Sequence, residues 1–296
     1  MNLKLLFLII AALMSQGSCF AWGIGTHLYH GGMVVLSPAT LIPVMAEFLS
    51  KYSTDYLYGI ISADFHIGKG LKQHLKHCHH WDMSKKIVEN AASEKQKAFA
   101  YGYMSHLAAD VVAHNFFVPS FINRKSVFGK KMNHIYWEVI ADSIIPISLW
   151  RHLQTVAYHH HSENDELMNR VLEKNIYIYK LKRYIYKKSI ELHNFKIWQQ
   201  QVERMKDQYE DEIIETIHYF QRLAYCCVLD VLNNQFDSIV MNYDPMGPSP
   251  NIFEYFGPRV SQTNVMNSKN CQIVIPTDLR DLEQKYPKTE RVMVYK

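Results

Sequence analysis

Glu94-Lys-Gln-Lys-Ala-Phe-Ala-Tyr-Gly-Tyr-Met-Ser-His106-Leu-Ala-Ala-Asp110-Val-Val-Ala-His114-Asn-Phe-Phe117 is the stretch on which the reading of this chain turns. It holds no Pro and one Gly, at 102, and is rich in good helix formers. A helix turns every 3.6 residues, so a spacing of four places His106, Asp110 and His114 on one face. Leu107, Ala108, Val111 and Val112 would sink the remaining faces into a core. Three ionisable groups on a buried stripe are costly unless paired or metal-bound. This helix therefore asks for a partner.

Working outward, His134-Ile-Tyr-Trp-Glu138 repeats the spacing of four inside a predicted helix from Asn133 to Ile145, stopped by Pro146. Two such helices in succession argue against a pair of ordinary surface hydrogen bonds. Upstream, Tyr58-Gly-Ile-Ile-Ser-Ala-Asp64 places a carboxylate after an apolar segment, and His77-Cys-His79-His80-Trp81-Asp82 sets imidazoles beside an aromatic. Taken singly, Asp64 also reads as a helix cap and the histidines as a solvated loop. Further helices are predicted at Thr40 to Lys51, Asp165 to Asn194 and Glu203 to Asn234. Strand-like alternation is confined to weak candidates at Gln272 to Ile275 and Val292 to Tyr295. The expected fold class is all-α, a multi-helix bundle. Pro245, Gly247, Pro248, Pro250, Gly257 and Pro258 mark the region after Tyr243 as loop.

At the other end, Lys4, an uncharged apolar run from Leu5 to Met14 and the small polar stretch Ser15 to Ser18 form the layout of a secretory signal peptide. Ten apolar residues are too few to cross a bilayer, which takes about 20. Cleavage after Ala21 would make Trp22 the first residue of the mature chain. Gln16, where a lipoprotein signal carries an aliphatic residue, disfavours acylation at Cys19. The expected organisation is a signal peptide at 1–21, a helical domain at 22–242 and a loop-rich extension at 243–296, in a protein exported to the periplasm or beyond. If Trp22 leads the mature chain, its amino nitrogen and carbonyl oxygen can chelate a metal, because the α-amino pKa of about 7.7 to 8.0 keeps the neutral form accessible. In Trp22-Gly-Ile-Gly-Thr-His27, the histidine would complete that site.

Composition adds little. The formal net charge of +4 over 296 residues is too weak to argue for nucleic acid by itself. Of 16 histidines, more than half lie between His27 and His114, while the run His159 to His161 reads as a solvated loop. Cys78, Cys226, Cys227 and Cys271 suit an oxidising compartment but show no recognisable disulfide framework.

In order and chemistry, Trp22, His27, Asp64, His79, His106, Asp110, His114, His134 and Glu138 resemble the trinuclear zinc site of the bacterial zinc-dependent phospholipases C, the clostridial α-toxin type included. The likeness spans about residues 22 to 142, with Gly25-Thr26-His27 and His79-His-Trp-Asp82 its most specific words. It implies three Zn2+ ions: one on Trp22 and His27, one on Asp64, His79 and His106, with Asp110 bridging these two, and one on His114, His134 and Glu138. His114 follows Asp110 by four residues where the family usually has six. From residue 151 onward nothing resembles the C-terminal β-sandwich of the α-toxins, so haemolytic activity does not carry over.

The implied chemistry is hydrolysis of phospholipid headgroup esters by metal-activated water, with Asp64 helping to take the water's proton. Zinc nucleases of the P1 and S1 type share the site and the short Trp22 to His27 spacing, but close their last site with Asp where this chain has Glu138. A secreted zinc-binding protein without turnover is the non-enzymatic alternative. No stable nucleic-acid partner is expected. Residues Ile176 to Ile190 mix five basic residues with aromatics, which reads first as a core helix with snorkelling Lys and Arg stems, then as a membrane-surface helix.

Overall fold

A computed structural model describes residues 22–66, 78–122, 130–146, 159–172, 211–247 and 274–286, with isolated positions at 151, 155, 156 and 184. The signal-peptide segment, both strand candidates but for residues 274 and 275, Cys271, His77 and the basic stretch 176–190 apart from Tyr184 lie outside the described residues. Those described form an all-helical fold with no strand among them. In chain order the helices are α1 Ile24–Leu36, α2 Pro43–Lys51, α3 Ser53–Ser62, α4 Trp81–Glu89, α5 Glu94–Val112, α6 Val118–Ile122, α7 Lys130–Ser143, α8 Ser162–Leu172, α9 Asp211–Asn234 and α10 Thr277–Lys285. None is long and apolar enough to cross a membrane.

The central helix is α5. Ser93 caps it by accepting from Gln96 N at 3.3 Å, and Gln96 reaches back to Ala92 N at 2.8 Å. This is a variant of the capping box, and it satisfies donors that a helix start leaves orphaned. Beyond the first turn almost every side chain from Ala98 to Val112 is buried, polar ones included. Helix α9 lies along α5 with Leu223 to Leu232 buried.

The approach of α3 to α5 is set by two glycines. A Cβ on Gly59 would stand 2.0 Å from Phe99 O, and one on Gly102 would stand 2.0 Å from Tyr56 O. Any larger residue at either position would push the backbones apart, so the glycines fix how closely α3 and α5 cross.

Several boundaries differ from the sequence expectation. The segment predicted as one helix from Thr40 splits into a 3-10 turn at Pro38–Thr40 and α2, because Pro43 has no N–H to continue a helix and starts one instead. The predicted helix 94–117 ends as α-helix at Val112 and finishes as a π-turn, Ala113–Phe117. The region after Tyr243, read as loop, contains α10, which buries Leu279 and Leu282 against α9. His159 and His160 are exposed, but His161 is buried, correcting the solvated-loop reading. Its ring stacks on Tyr58 with centroids 3.6 Å apart, and its Nε2 donates to Val156 O at 2.9 Å. Cys226 and Cys227 are free thiols, and both they and Cys78 are buried.

Candidate metal centre

His106 and Asp110 stand one turn apart on α5, with Asp110 Oδ2 3.1 Å from His106 Nε2. The close α3–α5 crossing brings Ile60 O to 2.8 Å from His106 Nδ1. A carbonyl only accepts, so Nδ1 carries the proton and the Nε2 lone pair faces the site when the ring is neutral. Asp64 enters from the 3-10 turn Ala63–His66 that ends α3, and His79 from the segment preceding α4. His79 Nε2 lies 3.2 Å from Asp64 Oδ1, 3.6 Å from Asp110 Oδ2 and 3.1 Å from His106 Nε2. On its other side, His79 Nδ1 is 3.3 Å from Cys78 Sγ. From α1, His27 stacks on His106 with centroids 3.7 Å apart and sets Nε2 3.2 Å from Asp110 Oδ1.

Two groups thus form, His27 with His106 and Asp110, and Asp64 with His79 and His106. Within each, one donor atom per residue lies within 4.8 Å of the others. All five side chains are buried, and Asp110 faces histidines on both its oxygens. Burial by itself would raise the Asp110 carboxyl, but His106 and His27 outweigh it and hold it well below the usual range. Burial likewise works to lower His79, yet Cys78 and the Asp64 and Asp110 carboxylates reverse this and raise it well above the ordinary value. His27 is lowered, by burial first and by His106 second. Glu138 is pushed well above the carboxylate range by burial, then by Asp64, Asp142 and Asp110.

Lone pairs of two imidazoles and two carboxylates converge on one buried point, and Asp64 Oδ2 and His27 Nδ1 have no hydrogen-bond partner among the described residues. Such a set is stable only around positive charge. Mixed nitrogen and oxygen donors at this spacing fit zinc.

The other predicted residues are placed as follows. The Trp22 ring is fully buried, donates Nε1 to Ala109 O at 3.0 Å and stacks on Phe117 at 4.3 Å. Burial of a ring this size contributes on the order of 2–3 kcal/mol, which docks the segment before α1 against α5 beside Asp110. His114 is buried on the π-turn, and Glu138 is buried on α7. His134 lies on the same helix, with its side chain outside the described set. Neither His114 nor Glu138 joins a group of three donors among the described residues. The structure therefore gathers His27, Asp64, His79, His106 and Asp110.

Asp142 was missed. It is buried on α7, and its oxygens accept from Gly25 N at 3.0 Å, Thr26 N at 2.8 Å and Thr26 Oγ1 at 2.8 Å. Burial raises its carboxyl to about 6 against the pull of those donors. The available signal was its spacing, four residues after Glu138.

The zinc dependent phospholipase C family model matches residues 24–191, more than half of the chain. The chain belongs to the zinc-dependent phospholipase C family. The matched range takes in His27, Asp64, His79, His106, Asp110, His114, His134 and Glu138, and begins just after Trp22. No curated protein and no solved structure gave a significant match. The family is one of zinc hydrolases, and the two donor groups are where this member can hold its metal.

Proposed function

We propose that this member is an exported phosphodiesterase that cleaves phospholipid headgroup esters, releasing diacylglycerol and a phosphorylated alcohol. The observation that carries it is the gathering of His27, Asp64, His79, His106 and Asp110 into two adjoining buried donor groups, inside the segment matched by the family. Three zinc ions are proposed, on Trp22, His27 and Asp110, on Asp64, His79, His106 and Asp110, and on His114, His134 and Glu138. Zinc bound there supplies a hydroxide near neutral pH and a positive field for a phosphodiester anion.

The chain's own groups do the rest. Ile60 O holds the His106 ring so that Nε2 points inward. Asp110 turns Oδ1 toward His27 and Oδ2 toward His106 and His79, and so reaches both donor groups. Asp64 turns Oδ1 toward His79 and His106, and its Oδ2 accepts the proton of the attacking water. The purified protein should contain zinc and hydrolyse phosphatidylcholine vesicles. Hydrolysis of single-stranded nucleic acid with phosphatidylcholine untouched would turn the assignment to a nuclease, and bound zinc without either reaction would leave a binding protein.

A further inference from the structure

Helix α1 begins without a cap of its own. Its N-cap residue is Gly23, which has no side chain to offer, and the first-turn amides of Gly25 and Thr26 instead meet Asp142, 117 and 116 residues away. These are the amides a local Asp or Ser cap would take. Thr26 Oγ1 adds a third bond to the same carboxylate. A Cβ on Gly23 would stand 2.2 Å from Asp142 Oδ2, so the imported carboxylate occupies the space that a local cap would need. Helix α9 braces the same junction. Gln221 O accepts from His30 Nε2 of α1 at 3.0 Å, and Gln221 Nε2 donates to Ala141 O of α7 at 3.4 Å.

A local cap would begin α1 regardless of where α7 lies. The imported one makes the start of α1, and with it the position of His27 one residue beyond Thr26, conditional on α7. A buried carboxylate is a costly way to cap a helix, and burial does raise this one to about 6.

We infer that Asp142 is a positioning residue of the metal centre, which fixes His27 on α1, and Trp22 just before that helix, relative to His134 and Glu138 on α7. This rests on the proposed metal centre and goes beyond it, since the bonds of Asp142 among the described residues go to Gly25 and Thr26 and not to a proposed donor. Loss of such an outer contact lowers metal affinity by about 10- to 100-fold.

The test compares zinc content and zinc affinity, read by competition with a chromophoric chelator, alongside the thermal midpoint of the metal-free protein. His27→Ala first marks which bound ion depends on α1. Asp142→Ala should weaken that ion by about 10- to 100-fold and lower the thermal midpoint. In Asp142→Ala with Gly23→Asp, the vacated space admits a local cap, so the midpoint should recover while zinc affinity does not. Recovery of both would reduce Asp142 to a cap and overturn the inference, as would unchanged affinity in Asp142→Ala. If Asp142→Ala does not fold, Thr26→Val, which removes one bond, decides against Thr26→Ser, which keeps it. Weaker zinc in the Val variant alone supports the inference, and equal affinity in the two overturns it. Wild-type protein that takes up no zinc would remove both the metal centre and this inference, whereas zinc uptake without phospholipid cleavage would remove only the proposed substrate.

Discussion

The two histidines that flank Asp110 are held in opposite ways. His106 sits on α5 where Gly59 and Gly102 let two backbones nearly touch, and a main-chain carbonyl fixes its ring. His27 sits on α1, whose start depends on three hydrogen bonds to a side chain from α7. The first half of the centre is held by packing, which has no alternative arrangement at similar energy. The second is held by polar bonds, each worth about 0.5–1.5 kcal/mol net, and can be loosened in steps. A metal centre built across such a seam has one rigid wall and one adjustable wall.

The severest break falls on the residue the two halves share. Asp110→Asn keeps the size of the side chain but removes its charge, and should lower phospholipid hydrolysis on the order of a thousandfold, with loss of zinc seen by metal analysis. Retention of full zinc would show that the halves do not meet at Asp110. Next, Gly102→Ala attacks the packed half alone. Its added methyl meets Tyr56 O, and overpacking of this kind costs about 1–3 kcal/mol. Denaturant unfolding of the metal-free protein should report that loss, together with a weakened site at His106. A stable Gly102→Ala protein with normal zinc would contradict the rigid wall.

A milder effect separates the α1 side by pH. Burial lowers His30 to about 3 from an ordinary 6.5. The folded protein therefore binds fewer protons than the unfolded chain between those values. Stability from the neutral ring is fully present above 6.5 and is lost as pH falls toward 3. His30→Gln retains a donor for Gln221 O without titrating, so acid unfolding of the metal-free variant should begin at lower pH than wild type. Identical acid midpoints would remove His30 from the account. The smallest change concerns two buried thiols on α9. Burial pushes the Cys226 thiol up to about 12, and burial, then its neighbours, raise Cys227 well above the ordinary thiol range. Neither should react with iodoacetamide in the native protein at pH 8, and both should react once it is unfolded, as peptide mass analysis would read.

The packed half was the legible one. His106 and Asp110 stood out because periodicity alone puts them on one buried face, and the burial of Leu107, Ala108, Val111 and Val112 follows the same rule. His27, Asp64 and His79 carried weaker signals, a chelate completed beside Trp22, a carboxylate after an apolar segment and a cluster of imidazoles, and only the resemblance joined them to the helix. Asp142 stayed hidden because its partners lie more than a hundred residues away, so that its spacing of four from Glu138 and the glycine where a cap belongs do not point to each other. His161 was misread for a related reason, since its burial depends on the face of Tyr58 in α3. The π-turn at Ala113 was also invisible. An extra residue in a helical turn is fixed by what packs around it, not by propensity.

The π-turn has a consequence in time. Asn115 on that turn donates to Asp244 O at 2.9 Å, across 129 residues, and Gly247, at a φ of +75°, fits against the His114 carbonyl where a Cβ would stand 2.9 Å away. At about 5–20 residues per second of synthesis, roughly 6 to 26 seconds separate the appearance of these two partners. For most of that interval, once Glu138 has been made, the growing chain carries every proposed donor side chain but lacks the segment that seats the turn holding His114. Zinc that arrived then would meet a centre with one wall still being made.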